Sequence, residues 1–156
     1  RVTPPATRPL RLEHVQHVRD DDLLKLRGLG IVLSLQPVHL LADADLVRRH
    51  LPGREHEAFR LRDLAATGLP VAFGSDAPVA DPDPADGLRA ATAHPLAPEQ
   101  SLTEEEALAA FTRGAAHAAG WSDCGVLAPG QRADLTLWEN GRVVGRVFRG
   151  RIDWLA

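Results

Sequence analysis

The chain has 156 residues, of which 44% are hydrophobic and 25% are charged, a composition typical of a soluble globular domain that can bury a core. The formal net charge is -3 and the acidic and basic residues are scattered, which argues against a nucleic-acid partner and favours a small polar or neutral ligand. No apolar run reaches the roughly 18 residues of a membrane span, and the single cysteine, Cys124, excludes an intrachain disulfide, so we expect a cytoplasmic protein without a membrane partner.

The first half of the chain alternates short apolar runs of β character with helical patterns. A helix over residues 21–27 is expected to be capped by Asp20 and to end before Gly28. The second apolar run is stopped by Pro37, which is typical of a strand buried on both faces. Because three strand–helix units follow one another, we predict an α/β fold with a parallel sheet. The predicted strands cover residues 10–13, 31–35 and 69–73, and the further predicted helices cover residues 45–50, 57–67 and 86–92.

The second half of the chain contains the clearest helix signal. Thr103 and Glu106 have the spacing of a capping box, which predicts a helix from residue 104 to about residue 119 that stops at Gly120. Beyond Val126 the pattern changes to short alternating stretches around the hairpin signal at residues 140–141, which predicts a small antiparallel β unit. We therefore divide the chain into an α/β part over residues 1–122 and a β part over residues 123–156.

Polar residues follow each of the three predicted parallel strands. His14 comes after the first strand, His39 after the second and Asp76 after the third. Because the carboxyl ends of parallel strands converge on one face, we expect these side chains to meet there. Taken singly, His14 can equally be an ordinary hydrogen-bonded histidine and Asp76 a turn former, and these interpretations remain open. The other histidines lack this placement and are interpreted as surface or packing residues.

Four segments of the sequence have the order and spacing of motifs in a known group of enzymes. They are Arg-Leu-Glu-His-Val-Gln at residues 11–16, Ser-Leu-Gln-Pro-Val-His at 34–39, Gly-Ser-Asp-Ala-Pro-Val at 74–79 and Ala-Asp-Leu at 133–135. With these motifs the chain resembles the amidohydrolase superfamily (amidohydrolase family 3), in the branch similar to the N-substituted formamide deformylases. The resemblance implies the last three strand–helix units of a (β/α)₈ metallohydrolase TIM barrel, joined to the carboxy-terminal part of a small β-sandwich built from both ends of a longer chain.

The resemblance covers only part of such an enzyme. A barrel of this kind needs eight strands and typically about 250 residues, and no His-x-His pair of metal ligands occurs in this sequence. The chain also opens at Arg1 on a Pro-rich stretch and contains no methionine. We therefore expect a carboxy-terminal fragment whose remaining metal ligands lie in a missing amino-terminal half.

The resemblance also implies roles for individual residues. His14 and Asp76 would bind a divalent metal, with zinc expected because nitrogen and oxygen ligands suit it. Asp76 would in addition take a proton from the attacking water and pass it to the leaving nitrogen of a small-molecule amide-type substrate. His39 would either hydrogen-bond the substrate carbonyl oxygen or shape the pocket.

Two other interpretations stay open for this sequence. One is a non-catalytic, truncated or degenerate amidohydrolase-like module, and the other is a relative that keeps the metal site but acts on esters, phosphotriesters or ring nitrogens. The isolated chain is expected to be inactive. Its open sheet edges and apolar helix faces also predict a homo-oligomer or aggregation of the chain alone.

Overall fold

A computed structural model describes residues 8–155, so the opening of the chain at Arg1 lies outside the described residues. Within this range a three-stranded parallel sheet and a three-stranded antiparallel sheet are formed. The parallel sheet has the order β1 (Arg11–Glu13), β2 (Val32–Leu35) and β3 (Val71–Phe73), and the antiparallel sheet has the order β4 (Leu135–Glu139), β5 (Arg142–Phe148) and β6 (Arg151–Trp154). The helices are α1 (Asp20–Leu26), α2 (His39–His50), α3 (Leu61–Ala65), α4 (Pro84–Thr92), α5 (Glu104–Ala109) and α6 (Ala115–Ala119), with 3₁₀ turns at Glu55–Glu57 and Pro98–Gln100 and a π turn at Ala110–Gly114.

The parallel sheet is buried on both faces at its central strand, which confirms the predicted α/β class. Leu33, Leu35 and Phe73 point to the face covered by α1 to α5, where they join the main hydrophobic core. Val32 and Ala72 point to the opposite face and pack against Ala118 of α6. An apolar strand such as β2 needs cover on both sides, and the two sets of helices supply it.

The chain between β1 and β3 differs from the prediction in three places. The helix α1 begins at Asp20 rather than after it, and the Asp20 side chain, predicted to be a cap, instead accepts a 2.6 Å hydrogen bond from the buried guanidinium of Arg60. The helix α2 begins at His39 and is longer than the predicted piece. The helix predicted over residues 57–67 is shortened to α3, because Phe59 has a φ of 50° and breaks the helical path.

The capping box at the start of α5 is confirmed. The hydroxyl of Thr103 accepts from the Glu106 amide, and the Glu106 carboxylate accepts from the Thr103 amide at 2.8 Å. The helix continues through the π turn into α6 and ends at Gly120, whose φ of 73° is the left-handed conformation that glycine adopts readily.

The antiparallel sheet is a meander with one apolar face. Asn140 and Gly141 have φ values of 51° and 76°, as the predicted tight hairpin turn requires. The register places Leu137, Ile152 and Trp154 on one side of the sheet. Ile152 is 58% exposed and Trp154 is 71% exposed, so this apolar face is uncovered by the part of the chain that the structure describes.

None of the helices in residues 8–155 has the length and apolar character that crossing a membrane requires. The two sheets fall on either side of the predicted division at residues 122 and 123, and the division itself stays a prediction.

Candidate functional site

The carboxyl ends of the three parallel strands lie level with one another. The amide of His14 donates to the Ser34 carbonyl at 2.8 Å, and the amide of Gly74 donates to the Leu35 carbonyl at 3.1 Å. These bonds continue the ladder one residue past β1 and β3. The segments that carry the three predicted site residues therefore leave the sheet at the same edge.

His39 is the residue that joins these segments. Its ring is stacked on that of His14, with centroids 6.4 Å apart and planes inclined by 22°. Its Nε2 atom is 3.2 Å from the carbonyl oxygen of Ser75, the residue before Asp76. The structure thus places the rings of His14 and His39 next to each other and ties His39 to the turn that carries Asp76.

Two of the three predicted site residues have an uncommon backbone conformation. His14 has a φ of 69° and Asp76 a φ of 58°, and Val15, beside His14, has a φ of 49°. Left-handed conformations are uncommon for residues with a side chain, and such strain of about 1–3 kcal/mol each is concentrated at functional sites. The strand-end turns at β1 and β3 are therefore held by their surroundings and not by local preference.

Gln16 and Asp43 also belong to this edge, although the sequence did not single them out. The Gln16 amide nitrogen is 3.2 Å from a carboxylate oxygen of Asp43 and 3.5 Å from Nδ1 of His39. Asp43 lies four residues after His39 on α2, so the two side chains share one helix face. This spacing was visible in the sequence, but the predicted helix began only at residue 45.

The site residues at the carboxyl ends of the parallel strands are partly exposed to solvent. His14 and Asp76 are exposed, whereas His39, Gln16 and Asp43 are half-buried. A cavity of about 150 Å³ lies next to Ser75 and is lined mainly by apolar residues from the segment before α2, the loop before α4, α4 itself and the π turn. They include Val38, Pro82, Pro84, Gly87 and Phe111.

His94 is buried, and its ring nitrogens bond to main-chain groups and not to the candidate site residues. It is 3% exposed, its Nε2 donates to the Phe59 carbonyl at 3.0 Å, and its Nδ1 accepts from the amides of Leu96 and Ala97. Burial lowers the pKa of His94 below its ordinary value, because the charged form loses water. His94 is thus a packing residue, as predicted.

The residues at this edge fit a metal only in part. His14 offers an imidazole nitrogen and Asp76 a carboxylate oxygen, both of which are ligands that zinc accepts. Within residues 8–155, however, no three His, Cys, Asp or Glu side chains come together in a way that could hold a metal ion. A catalytic zinc site needs three protein ligands, so the described residues supply at most two of them.

The fold and the site together define an α/β protein whose polar site residues lie at the carboxyl ends of parallel strands. A family model described as the amidohydrolase family matches residues 3–147. The chain therefore belongs to the amidohydrolase family, as the motifs predicted.

Named relatives and solved structures agree with this assignment. The chain is 36% identical over 141 residues to Protein LONG AFTER FAR-RED 3 of Arabidopsis thaliana, covering 83% of this chain and 24% of that protein. It is 43% identical over 113 residues to an imidazolonepropionase of Cereibacter sphaeroides, covering 69% and 28% respectively. It is 29% identical over 143 residues to the N-substituted formamide deformylase of Arthrobacter pascens, covering 86% and 26%. A metal-dependent hydrolase from Pyrococcus horikoshii superposes with a TM-score of 0.72 and 32% identity, covering 79% of this chain and 27% of that one.

These relatives are much longer than the chain itself. The chain spans 24% to 28% of the curated relatives named above.

Proposed function

We propose that this chain is part of a metal-dependent hydrolase that acts on carbon–nitrogen bonds, other than peptide bonds, of small amide-type molecules. The observation that carries the proposal is the contact of His39 with both His14 and the Ser75 carbonyl, at the edge where Asp76 follows β3. Membership of the amidohydrolase family and the similarity to a metal-dependent hydrolase support it. The similarity to relatives named imidazolonepropionase and N-substituted formamide deformylase supports it as well.

In this proposal His14 and Asp76 hold a divalent metal, with zinc favoured by the nitrogen and oxygen donors. When bound, such a metal lowers the pKa of a water molecule so that hydroxide is available near neutral pH. The two side chains are exposed at one edge of the sheet, where a small molecule can reach them.

Asp76 is the proposed proton carrier. Its exposed carboxylate accepts a proton from water as the water attacks the substrate carbonyl carbon, and then donates that proton to the departing nitrogen. Its left-handed backbone, with a φ of 58°, is fixed by the turn in which the Asp76 carbonyl accepts from the Val79 amide at 2.8 Å. A fixed backbone keeps the carboxylate in place for both proton transfers.

The cavity next to Ser75 suggests one feature of the substrate. Its volume of about 150 Å³ is of the size that holds a single aromatic ring in other proteins. Its lining from Val38 and Phe111 is apolar. We propose that a compact hydrophobic group of the substrate lies there, beside the carbonyl that is attacked.

The architecture of the whole protein is also part of the proposal. Residues 1–122 would supply the last three strand–helix units of a (β/α)₈ barrel, with β1, β2 and β3 as its sixth, seventh and eighth strands, and residues 123–156 would supply part of a β-sandwich. In the described residues β1 and β3 each pair with one neighbour only, so each has an edge to which a further strand can add. Chain from an amino-terminal half would then contribute the remaining metal ligands.

A non-catalytic amidohydrolase-like module is the second candidate. The observation that favours it is the lack of any three-residue metal-binding group within residues 8–155. A module of this kind would keep the fold and bind neither metal nor substrate.

Metal content and hydrolysis of N-acyl amides, measured with and without a complementing amino-terminal half, test the proposal. The variants are His14→Ala and Asp76→Ala, and the matched control is His56→Ala, which removes an exposed histidine that follows none of the three parallel strands. We expect metal and turnover in the complemented protein and in the control, and loss of both in the two site variants. Stoichiometric metal and activity in the chain alone would show instead that it completes a site by itself. Absence of metal and turnover in the complemented protein would favour the non-catalytic module.

A further inference from the structure

Gln16 bridges two other groups of the strand-end edge. Its amide nitrogen is 3.2 Å from Oδ2 of Asp43 and 3.5 Å from Nδ1 of His39. All three side chains are half-buried, so these contacts are partly shielded from water. The proposed function assigns no role to Gln16 or to Asp43.

The chemistry of these contacts fixes how the Gln16 amide is oriented. A carboxylate only accepts hydrogen bonds, so Gln16 must present its NH₂ group, and not its carbonyl oxygen, to Asp43. The NH₂ group has two hydrogens. One donates to Asp43, which leaves the other to donate to Nδ1 of His39. Nδ1 therefore accepts and carries no hydrogen.

The other ring nitrogen of His39 indicates the same tautomer independently. Nε2 is 3.2 Å from the Ser75 carbonyl oxygen, which also only accepts hydrogen bonds. Nε2 therefore carries the hydrogen and donates it. Two unrelated neighbours, the Gln16 amide and the Ser75 carbonyl, thus select the same form of the imidazole.

The main chain holds Gln16 in the position that this bridge needs. The Gln16 carbonyl accepts from the Phe59 amide at 2.6 Å, and the next residue, His17, forms a β bridge with Ala58. The Phe59 carbonyl in turn accepts a hydrogen bond from Nε2 of His94. The segment after β1 is therefore anchored at Gln16 and at His17, which limits the positions that the Gln16 amide can reach.

We propose that Gln16, oriented by Asp43, is a positioning residue that holds His39 as its Nε2–H tautomer, so that His39 acts as a hydrogen-bond donor and not as a base. The catalytic meaning of this inference rests on the proposed function. In the free protein Nε2–H donates to the Ser75 carbonyl, and during the reaction it donates to the carbonyl oxygen of the substrate as negative charge develops there. Because Nδ1 is occupied, proton abstraction is left to Asp76.

Nitrogen-15 NMR of the histidine side chains tests the inference without any need for activity. Long-range proton–nitrogen spectra distinguish a nitrogen that carries hydrogen from one that does not. In the full chain at a pH where His39 is neutral, we expect hydrogen on Nε2 of His39. Gln16→Glu places an acceptor beside Nδ1, and we expect the population with hydrogen on Nδ1 to rise.

Two further variants make the outcome independent of a single substitution. Asp43→Asn replaces a carboxylate that only accepts with an amide that also donates, so either end of the Gln16 amide can then face residue 43. We therefore expect a smaller shift of His39 in the same direction. The matched control is Asp45→Asn, which changes the same charge on the same helix but contacts Arg48 and not Gln16. A His39 spectrum that is the same in the unmodified chain, Gln16→Glu and Asp43→Asn would overturn the proposal, as would hydrogen on Nδ1 in the unmodified chain.

Kinetics of the complemented protein add a second readout. Gln16→Leu keeps a side chain of similar size but cannot donate, and we expect kcat to fall about 10- to 100-fold, the usual effect of losing a residue that orients a site residue. KM should stay nearly constant, because the donated hydrogen bond matters most in the transition state. An unchanged kcat in Gln16→Leu would contradict the positioning role. If no variant or unmodified protein turns over substrate, the proposed function fails, while the NMR comparison still decides the tautomer.

Discussion

Gly114 is the position at which one added methyl group should clearly lower the stability of the fold. It lies at the end of the π turn with a φ of -64°, so its backbone conformation does not require glycine. A Cβ atom there would lie 2.0 Å from the Val71 carbonyl oxygen and 3.3 Å from Cα of Ala72. Glycine is therefore present because the helix backbone approaches the strand β3 closely.

The size of the effect of Gly114→Ala follows from this approach. The separation of 2.0 Å must grow to about 3.4 Å before the contact is an ordinary one, so the helix and β3 must move apart by about 1.4 Å. Overpacking typically costs about 1–3 kcal/mol, and a clash between two backbones belongs at the upper end of that range. Alanine favours helix over glycine by about 1 kcal/mol, which offsets part of this cost. We expect a net loss of about 2 kcal/mol in the free energy of unfolding.

Urea unfolding followed by tryptophan fluorescence measures this loss. The matched control is Gly87→Ala in α4, where the added Cβ would lie 2.6 Å from Cζ of Phe111, the far end of a side chain that can rotate away. We expect Gly87→Ala to remain within about 1 kcal/mol of the unmodified chain, since helix propensity favours it. An unchanged midpoint in Gly114→Ala, or an equal loss in both variants, would refute the argument from backbone contact.

Four further outcomes are expected. Thr103→Ala removes the capping box and should lower the free energy of unfolding by about 1 kcal/mol, measured by urea titration. The hydrogen bond from Arg62, together with that from the Thr103 amide, lowers the pKa of Glu106 to about 2. Because the unfolded chain takes up the proton at a higher pH, this stabilisation is present above the ordinary pKa of 4.5 and is lost as the pH falls towards 2. Glu106→Gln should flatten this dependence of the free energy of unfolding on pH. Burial lowers the pKa of His94 from its ordinary 6.5, so stability should fall as the pH drops below 6.5, and His94→Gln should remove this dependence in thermal unfolding. Trp154→Ser reduces the uncovered apolar face of the antiparallel sheet and should decrease self-association of the isolated chain in sedimentation velocity.

The elements with strong local signals were predictable from the sequence. The parallel strands lie within two residues of the predicted runs. For β2 and β3 this is because continuous apolar stretches bounded by proline or glycine identify buried strands well. The capping box at Thr103 and the hairpin at residues 140–141 are local hydrogen-bonding and backbone preferences that need no tertiary contact.

The elements that depend on contacts far along the chain were not predictable in detail. The helix predicted over residues 57–67 is broken at Phe59, where the amide is bound by the Gln16 carbonyl and the carbonyl by His94. Arg60 is buried between Asp20 and Asp63, which draws Asp20 away from the capping role that its position suggested. In both cases tertiary hydrogen bonds outweigh local helix preference, and no pattern within the segment itself reveals them.

The candidate site shows the same division. Strand-end placement identified His14, His39 and Asp76, because it follows from the geometry of parallel strands alone. The roles of Gln16 and Asp43 depend on α2 beginning at His39. The buried positions of Leu40, Ala44 and Val47 in α2 follow the helical spacing, so this start could have been found from the sequence.

The amino ends of the parallel strands carry contacts that stabilise the fold, and their carboxyl ends carry the candidate site residues. At the amino ends of β1 and β3, the Arg11 guanidinium donates to the Ala118 carbonyl at 3.2 Å and Gly114 lies against Val71. At the carboxyl end, His14 and Asp76 are exposed and held in left-handed conformations. In parallel barrels the carboxyl face carries the catalytic groups and the opposite face carries stability. Substitutions at Arg11 should therefore lower the free energy of unfolding more than they lower turnover. Substitutions at Gln16, in the turn after the same strand, should lower turnover more than the free energy of unfolding.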